Sequence, residues 1–202
     1  LVGDKRGAIR DYIKSIKMNP DYAKAYYNKG NAEFAISYFK KALNSYSKAI
    51  EINPEYVDAY LNRGNTYFEL NKYNEAITDW TTVIQLRPDY DIAYNNRGYA
   101  KAELKLYKEA LDDFNKALEI NSFLVDAYFN RGFIFIKLGQ YKEAIDDLNK
   151  CIKFNPSDGE AYYYIGIAKQ MQGDISGACS SWVKSYELNY PDAKRTIKSV
   201  CK

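Results

Sequence analysis

The segment AYLNRGNTYFELNKYNEAITDW at residues 59–80 returns as AYNNRGYAKAELKLYKEALDDF at 93–114 and as AYFNRGFIFIKLGQYKEAIDDL at 127–148, each time 34 residues on. A fixed period of this length constrains the fold more than any other feature of the chain. Each copy must be one small supersecondary unit that cannot bury its apolar face alone and does so against its neighbours. Aligned on itself, the sequence gives five full repeats at 23–56, 57–90, 91–124, 125–158 and 159–192, with a partial repeat at 1–22 and a closing segment at 193–202. Apolar residues within a repeat fall at spacings of three and four, which predicts two amphipathic helices per repeat and no strand.

The recurring positions say how the two helices meet. Position 4 is Tyr in every full repeat (Tyr26, Tyr60, Tyr94, Tyr128, Tyr162), and position 8 is Gly (Gly30, Gly64, Gly98, Gly132, Gly166). A helical Gly costs roughly 1 kcal/mol relative to Ala, so its return implies a neighbour too close for a β-carbon. Position 20 is Ala throughout (Ala42, Ala76, Ala110, Ala144, Ala178), and the two small positions are expected to form the crossing of the helices. Asn71, Gly139 and Gly173 suit the left-handed residue that ends a first helix. Second helices open on Phe39, Tyr73, Tyr107, Tyr141 or Ile175, and Pro54, Pro88 and Pro156 mark their ends, a pattern that Ser122 breaks.

This series of aromatic, Gly, Ala, aromatic and Pro at a 34-residue period resembles the tetratricopeptide repeat over essentially the whole chain. The resemblance implies an all-α fold, a right-handed α-solenoid of antiparallel helix-turn-helix units. Tyr replaces the usual Trp at position 4, and Arg stands where Leu is usual at position 7. In residues 1–22, Ala8, Tyr12 and Pro20 are in register with a second helix whose first helix is missing. The face of Ala8, Tyr12 and Ser15 is therefore expected to be covered by upstream residues or by another chain, which makes the N-terminal edge a place for self-association. The closing AKRTIKSVCK reads as a cap helix with Ala193, Ile197 and either Val200 or Cys201 on one face, after an irregular YELNYPDA with an extra residue before Pro191.

The charge at position 7 has a companion. Arg63, Arg97 and Arg131 are each followed sixteen residues later by Asp79, Asp113 and Asp147, whereas Lys29 and Ile165 are followed by Ser45 and Ser181. Charge and partner come and go together, which predicts three ion pairs between the two helices of a repeat, structural rather than ligand-binding.

Little catalytic or metal chemistry is on offer. The chain has no His, so the usual general base and the commonest zinc ligand are missing, and its three Cys, at 151, 179 and 201, show no CxxC spacing. No metal, no cofactor and no enzymatic activity are expected. Cys151 occupies a position filled by Ala49 and Ala117, a small buried site. Cys179 and Cys201 are expected to be near neighbours. Similar terminal Cys pairs occur in some bacterial repeat proteins that this ending resembles, and whether the two are bridged stays open.

In the resembled family, first helices line a concave surface through positions 2, 5, 6, 9, 12 and 13. Position 6 is Asn in four repeats, Asn28, Asn62, Asn96 and Asn130, and around them lie Asn31, Asn65, Tyr99, Phe129, Phe133 and Tyr163. An amide both donates and accepts, so a row of Asn can pair with an extended backbone whatever its sequence. The clamp with which some relatives hold acidic chaperone tails is absent, because Tyr27, Ile92 and Asn96 stand where its basic residues belong. Asp58, Glu69, Glu103, Asp126 and Glu160 against Lys24 and Lys137 tilt the surface towards acid, which argues against nucleic acid. The net charge of +3 carries no concentrated basic face, and no apolar run nears the ~18 residues of a membrane span. The reading is a scaffold binding an extended, neutral to basic peptide or partner protein. The alternative is a regulatory or substrate-recruiting segment of a larger multidomain enzyme, since some glycosyltransferases carry a comparable Asn-lined array.

Overall fold

The computed structural model describes residues 4–201, and every regular element among them is an α-helix. The chain divides into two compact units, Leu1–Leu106 and Tyr107–Lys202. The N-terminal unit holds α1 (Lys5–Met18), α2 (Ala23–Phe34), α3 (Phe39–Ile52), α4 (Val57–Glu69), α5 (Tyr73–Leu86) and α6 (Asp91–Glu103). The C-terminal unit holds α7 (Tyr107–Ile120), α8 (Val125–Lys137), α9 (Tyr141–Phe154), α10 (Gly159–Met171), α11 (Ile175–Glu187) and the short α12 (Ala193–Val200). In each unit, consecutive helices pack against one another.

The helix ends follow from local chemistry. Asp4, Asp158 and Asp174 cap α1, α10 and α11 by accepting the backbone N–H three residues on, at 2.8, 2.9 and 2.8 Å. Position 15, between first and second helices, has positive φ in every repeat: Ser37 at 59°, Asn71 at 57°, Lys105 at 61°, Gly139 at 75° and Gly173 at 87°. Turns between repeats are held by Asn19, Asn53, Asn121 and Asn155, whose side-chain oxygens accept the N–H two residues later at 3.0–3.2 Å. This explains how the chain turns at Asn121 although Ser122 replaces Pro: the amide, not the ring, carries the turn.

The core repeats one motif. The position-20 alanines are fully buried, and so are Tyr46, Trp80, Phe114, Leu148 and Trp182 four residues further along the second helices. A β-carbon on Gly30 would lie 2.6 Å from the Tyr46 ring, and one on Gly64 2.7 Å from the Trp80 indole. Gly166 faces Trp182 in the same way, and Gly132 faces Leu148 at 3.1 Å. The neighbour that excludes a side chain at position 8 is thus a ring or branched chain from position 24, and Ala at position 20 lets the helix carrying it come close.

The two ends differ from the interior. No residue of α1 is buried, and Ala8, Tyr12 and Ser15 are half-buried. In α12, Ala193 is fully buried like Ala59 and Ala161, and the Thr196 hydroxyl meets the Tyr163 hydroxyl at 3.2 Å, as the Asn62 amide meets that of Tyr27. The helix therefore stands where a further first helix would, and Lys198 falls on its glycine position, so α12 offers no flat seat for a ring. Cys179 on α11 and Cys201 after α12 are bonded, with Cα atoms 5.8 Å apart. By closing 22 residues, the bond contributes about 3 kcal/mol to holding α12 in place.

Because a non-Gly residue at positive φ is strained by about 1 kcal/mol, Ser37→Gly is expected to raise stability by about 0.5–1 kcal/mol in urea unfolding. Gly173→Ala, whose new methyl would meet nothing within 4 Å, is expected to lower it by about 1 kcal/mol through backbone strain alone. Equal midpoints for Gly173→Ala and the parent would contradict this.

Candidate functional site

First helices in the N-terminal unit are joined by amides. Asn62 donates both Nδ2 protons, to Asn31 Oδ1 at 2.9 Å and to the Tyr27 hydroxyl at 3.2 Å, and Tyr46 OH donates to the same Asn31 oxygen at 2.8 Å. One repeat on, Asn96 Nδ2 donates to Asn65 Oδ1 at 3.2 Å. Positions 6 and 9 of successive repeats thus form pairs, a use of the Asn row that the alignment did not suggest. The pairing leaves the Asn62 side-chain carbonyl and the Asn31 amino group without a hydrogen bond among the described residues. Asn28, half-buried on α2, makes no side-chain hydrogen bond among the described residues.

Two pockets flank these pairs. One of about 130 Å³ is lined by Asn31, Phe34, Tyr46, Asn62 and Asn65. The other, about 330 Å³, is lined by Phe34, Asn65, Phe68, Glu69, Trp80, Asn96 and Tyr99. Phe68 packs against Tyr99 with ring centroids 5.1 Å apart and against Trp80 at 6.1 Å. Sequence reasoning placed Asn31, Asn62, Asn65, Asn96 and Tyr99 on this surface but missed Phe34 and Trp80. Phe34 could have been found as the position-12 counterpart of Phe68. Trp80 reaches the pocket wall from a second helix because Gly64 lets its ring pack close to the first-helix surface while the side chain stays buried, which only the packing reveals.

The C-terminal unit presents a different surface. Phe129 and Phe133 meet Tyr164 edge-on at 5.6 and 5.4 Å, and Tyr163 packs on Tyr190 at 5.0 Å. Tyr164 occupies position 6, so an aromatic cluster replaces the amide pair of the other unit, while Asn130 is half-buried on α8. Lys137 lies 4.8 Å over the Phe133 ring. Burial raises the Glu160 carboxyl above its usual range, with Asp158 adding to it, and Tyr190 OH donates to Glu160 at 3.5 Å.

Two of the position-7 cations, Arg63 and Arg131, are held in bidentate ion pairs inside their own repeats. Arg63 donates Nε and Nη2 to the two Asp79 oxygens at 2.8 and 2.7 Å, and Arg131 does the same to Asp147 at 2.7 Å for both bonds. Each third nitrogen reaches the preceding repeat: Arg63 Nη1 to Ser47 Oγ at 3.0 Å, Arg97 Nη1 to Thr81 Oγ1 at 3.1 Å, and Arg131 Nη1 to Asn115 Oδ1 at 2.7 Å. Arg97 belongs to the N-terminal unit and the buried Asp113 to the C-terminal one. Lys29 does have a carboxylate partner: Nζ lies 2.9 Å from Glu33 Oε1, and Ser45 Oγ receives Lys29 at 2.8 Å and donates to Glu33 at 2.6 Å. The anion has moved from the second helix to the first, four residues from its cation, and Glu33 stays 2% exposed. Ser181, beside Ile165, donates instead to the Gly177 carbonyl at 2.9 Å.

Asp79 is nearly buried beside a mostly buried Arg63, so Asp79→Ala is expected to destabilise by about 3 kcal/mol, leaving a desolvated guanidinium. Replacing both residues with apolar ones, Arg63→Met and Asp79→Leu, should recover most of that loss in urea unfolding. Cys151 is fully buried and burial pushes its thiol up to about 12, so at pH 8 almost no thiolate exists. An aromatic disulfide reagent is expected to find no thiol in the native, unreduced protein and one per chain in denaturant.

The tetratricopeptide repeat models match residues 30–71 and 64–105, and 92–123 and 125–158. No curated protein matches the chain in sequence. Among solved structures, the MamA protein is 26% identical with a TM-score of 0.76, covering 85% of this chain and 94% of its own. A tetratricopeptide repeat protein from Parabacteroides merdae is 24% identical, TM-score 0.81, over 94% of this chain and 75% of its own. YrrB, described as a TPR protein with an unusual peptide-binding site, is 24% identical, TM-score 0.76, over 93% and 97%. Together the family matches run from residue 30 to residue 158 and take in the repeats in which Gly30, Gly64 and Gly132 pack and in which the amide pairs lie, and the chain belongs to the tetratricopeptide repeat family.

Proposed function

We propose that this chain is a non-enzymatic interaction scaffold that holds an extended segment of a partner protein on its first-helix surface, mainly through the segment's backbone. The observation that carries this reading is the state of the amides. Asn31 keeps an amino group and Asn62 keeps a carbonyl, and both residues line the 130 Å³ pocket, which shares Phe34 and Asn65 with the 330 Å³ one. A donor and an acceptor on two amides hydrogen-bonded to each other suit a peptide unit, and the two pockets suit its side chains. In the C-terminal unit, Phe129, Phe133 and Tyr163 supply flat apolar contacts of the kind that dominate binding energy.

The uncompensated acids select the ligand's charge. Asp58, Glu69 and Glu103 in the N-terminal unit, and Asp126 and Glu160 in the C-terminal one, are exposed, which disfavours acidic segments and nucleic acid and favours neutral to basic ones. An affinity of ~1–100 µM is ordinary for a segment that must be ordered on binding. YrrB shares the fold with this chain; what supports binding here is the surface itself.

Random peptides selected by display against the whole chain provide the ligand for a test. Asn62→Ala is expected to weaken the selected peptide by about 0.5–1.5 kcal/mol, with Asn96→Ala and Asn130→Ala behaving alike. Phe133→Ala should weaken it by about 2 kcal/mol if the segment reaches the C-terminal unit. Methylating the peptide's backbone nitrogens should harm binding more than changing its side chains. Unchanged affinity for the N-methylated peptide and for all three Asn variants would sink the reading.

A further inference from the structure

We infer that the 330 Å³ pocket of the N-terminal unit is the seat of an arginine side chain on the bound segment, an assignment that rests on the peptide-binding reading and names what one residue of the ligand must be. The volume is near the lower limit of small-ligand sites, which fits one long side chain rather than a separate molecule. Its lining has three parts. Phe34, Phe68 and Trp80 make an aromatic wall, Asn65 and Asn96 are hydrogen-bonded to each other along one side, and Glu69 stands at the exposed rim.

Glu69 decides between possible occupants. It makes no hydrogen bond or ion pair among the described residues, unlike Glu33, which is held by Lys29 and Ser45. An aliphatic side chain filling the pocket would strip water from that carboxylate and return nothing. An acidic one would be repelled. A lysine would supply charge, but its ammonium is a compact, strongly hydrated point with no plane to lay on a ring. A guanidinium answers all three parts at once: its methylenes run along Phe34, its face lies on Phe68, its edge donates to Glu69, and a remaining N–H reaches the second lone pair of Asn65 Oδ1. The same unit already uses this chemistry inside its own structure, where Arg63 lies 5.4 Å over Tyr60 and 6.0 Å over Tyr67 while pairing with Asp79.

The chain's two tryptophans make the test internal. Both are buried, but Trp80 borders the pocket and donates its indole N–H to the Leu61 carbonyl at 3.3 Å, whereas Trp182 lies in the C-terminal unit and donates to the Tyr163 carbonyl at 3.1 Å. Nitrogen-labelled full-length protein is titrated with N-acetyl-arginine methylamide, and the two indole signals are followed by NMR. Saturable movement of the Trp80 signal alone is expected, with N-acetyl-methionine methylamide about fivefold weaker and Glu69→Gln lowering the arginine affinity about fivefold. Glu69 is exposed, so this variant leaves the core intact. A silent Trp80, equal binding of the methionine compound, or no effect of Glu69→Gln would each overturn the assignment. The backbone reading fails or survives separately: a selected peptide lacking arginine but sensitive to Asn62→Ala would discard the arginine seat and keep the groove. Arginine binding at Trp80 together with full tolerance of N-methylation would do the reverse.

Discussion

A ring or branched side chain at position 24 of the second helix (Tyr46, Trp80, Leu148 or Trp182) lies in the gap left by a glycine at position 8 of the first, and the rest of the repeat is arranged around that contact. In the N-terminal unit the indole of Trp80 fills the place a β-carbon on Gly64 would take, and Tyr46 does so at Gly30. The gap fixes how closely the two helices approach, and Ala42 and Ala76 allow that approach on the opposite helix. It also keeps the aromatic ring near the first-helix surface, where Trp80 becomes pocket wall and the Tyr46 hydroxyl orients Asn31. A helical Gly is unfavourable by about 1 kcal/mol, which burial of a ring of this size more than offsets.

Successive repeats are then clasped at two kinds of polar contact. Guanidinium groups tie position 7 to the second helices of two repeats, as Arg63 does with Asp79 and Ser47. Amides tie the first helices to each other, as Asn62 does with Asn31. The two clasps differ in what they leave over. A bidentate Arg–Asp pair with a third partner is largely satisfied and buried, so it defines register and offers little to a ligand. The Asn62–Asn31 pair uses the amino group of one amide and the carbonyl of the other, which leaves the Asn62 carbonyl and the Asn31 amino group over.

The ends and the C-terminal unit show how the motif is varied without losing its geometry. Tyr164 replaces Asn at position 6 and gathers Phe129, Phe133 and Tyr163 into an aromatic surface. Lys198 takes the glycine position of α12, and the bond between Cys179 and Cys201 holds that short helix where a packed ring would otherwise be needed. In the first full repeat the anion moves to Glu33, and a hydrogen-bonded Lys–Glu–Ser cluster replaces the Arg–Asp pair.

The sequence by itself determined the helical pairs, their turns and their packing stripes, because these depend on residue type at a fixed local spacing: Gly at position 8, Ala at position 20, and Asn or Gly at the left-handed turn. It also pointed to Arg63 with Asp79 and Arg131 with Asp147, since a covarying charge sixteen residues away repeats visibly within one chain. Only the tertiary structure decided contacts whose partners do not recur or whose reach crosses between repeats. Lys29 with Glu33 occurs once and therefore leaves no periodic trace. Ser47 with Arg63 and Asn31 with Asn62 join different repeats, and although both contacts recur at a fixed spacing, the first through Ser, Thr or Asn in turn, the sequence does not say which neighbouring helix each side chain faces. Trp80 as a pocket wall could not be read either, because a large aromatic at a core position is buried, as Trp80 is, and nothing in its spacing says whether its edge also borders a pocket. That depends on where two helices lie in space, and linear spacing carries no such information.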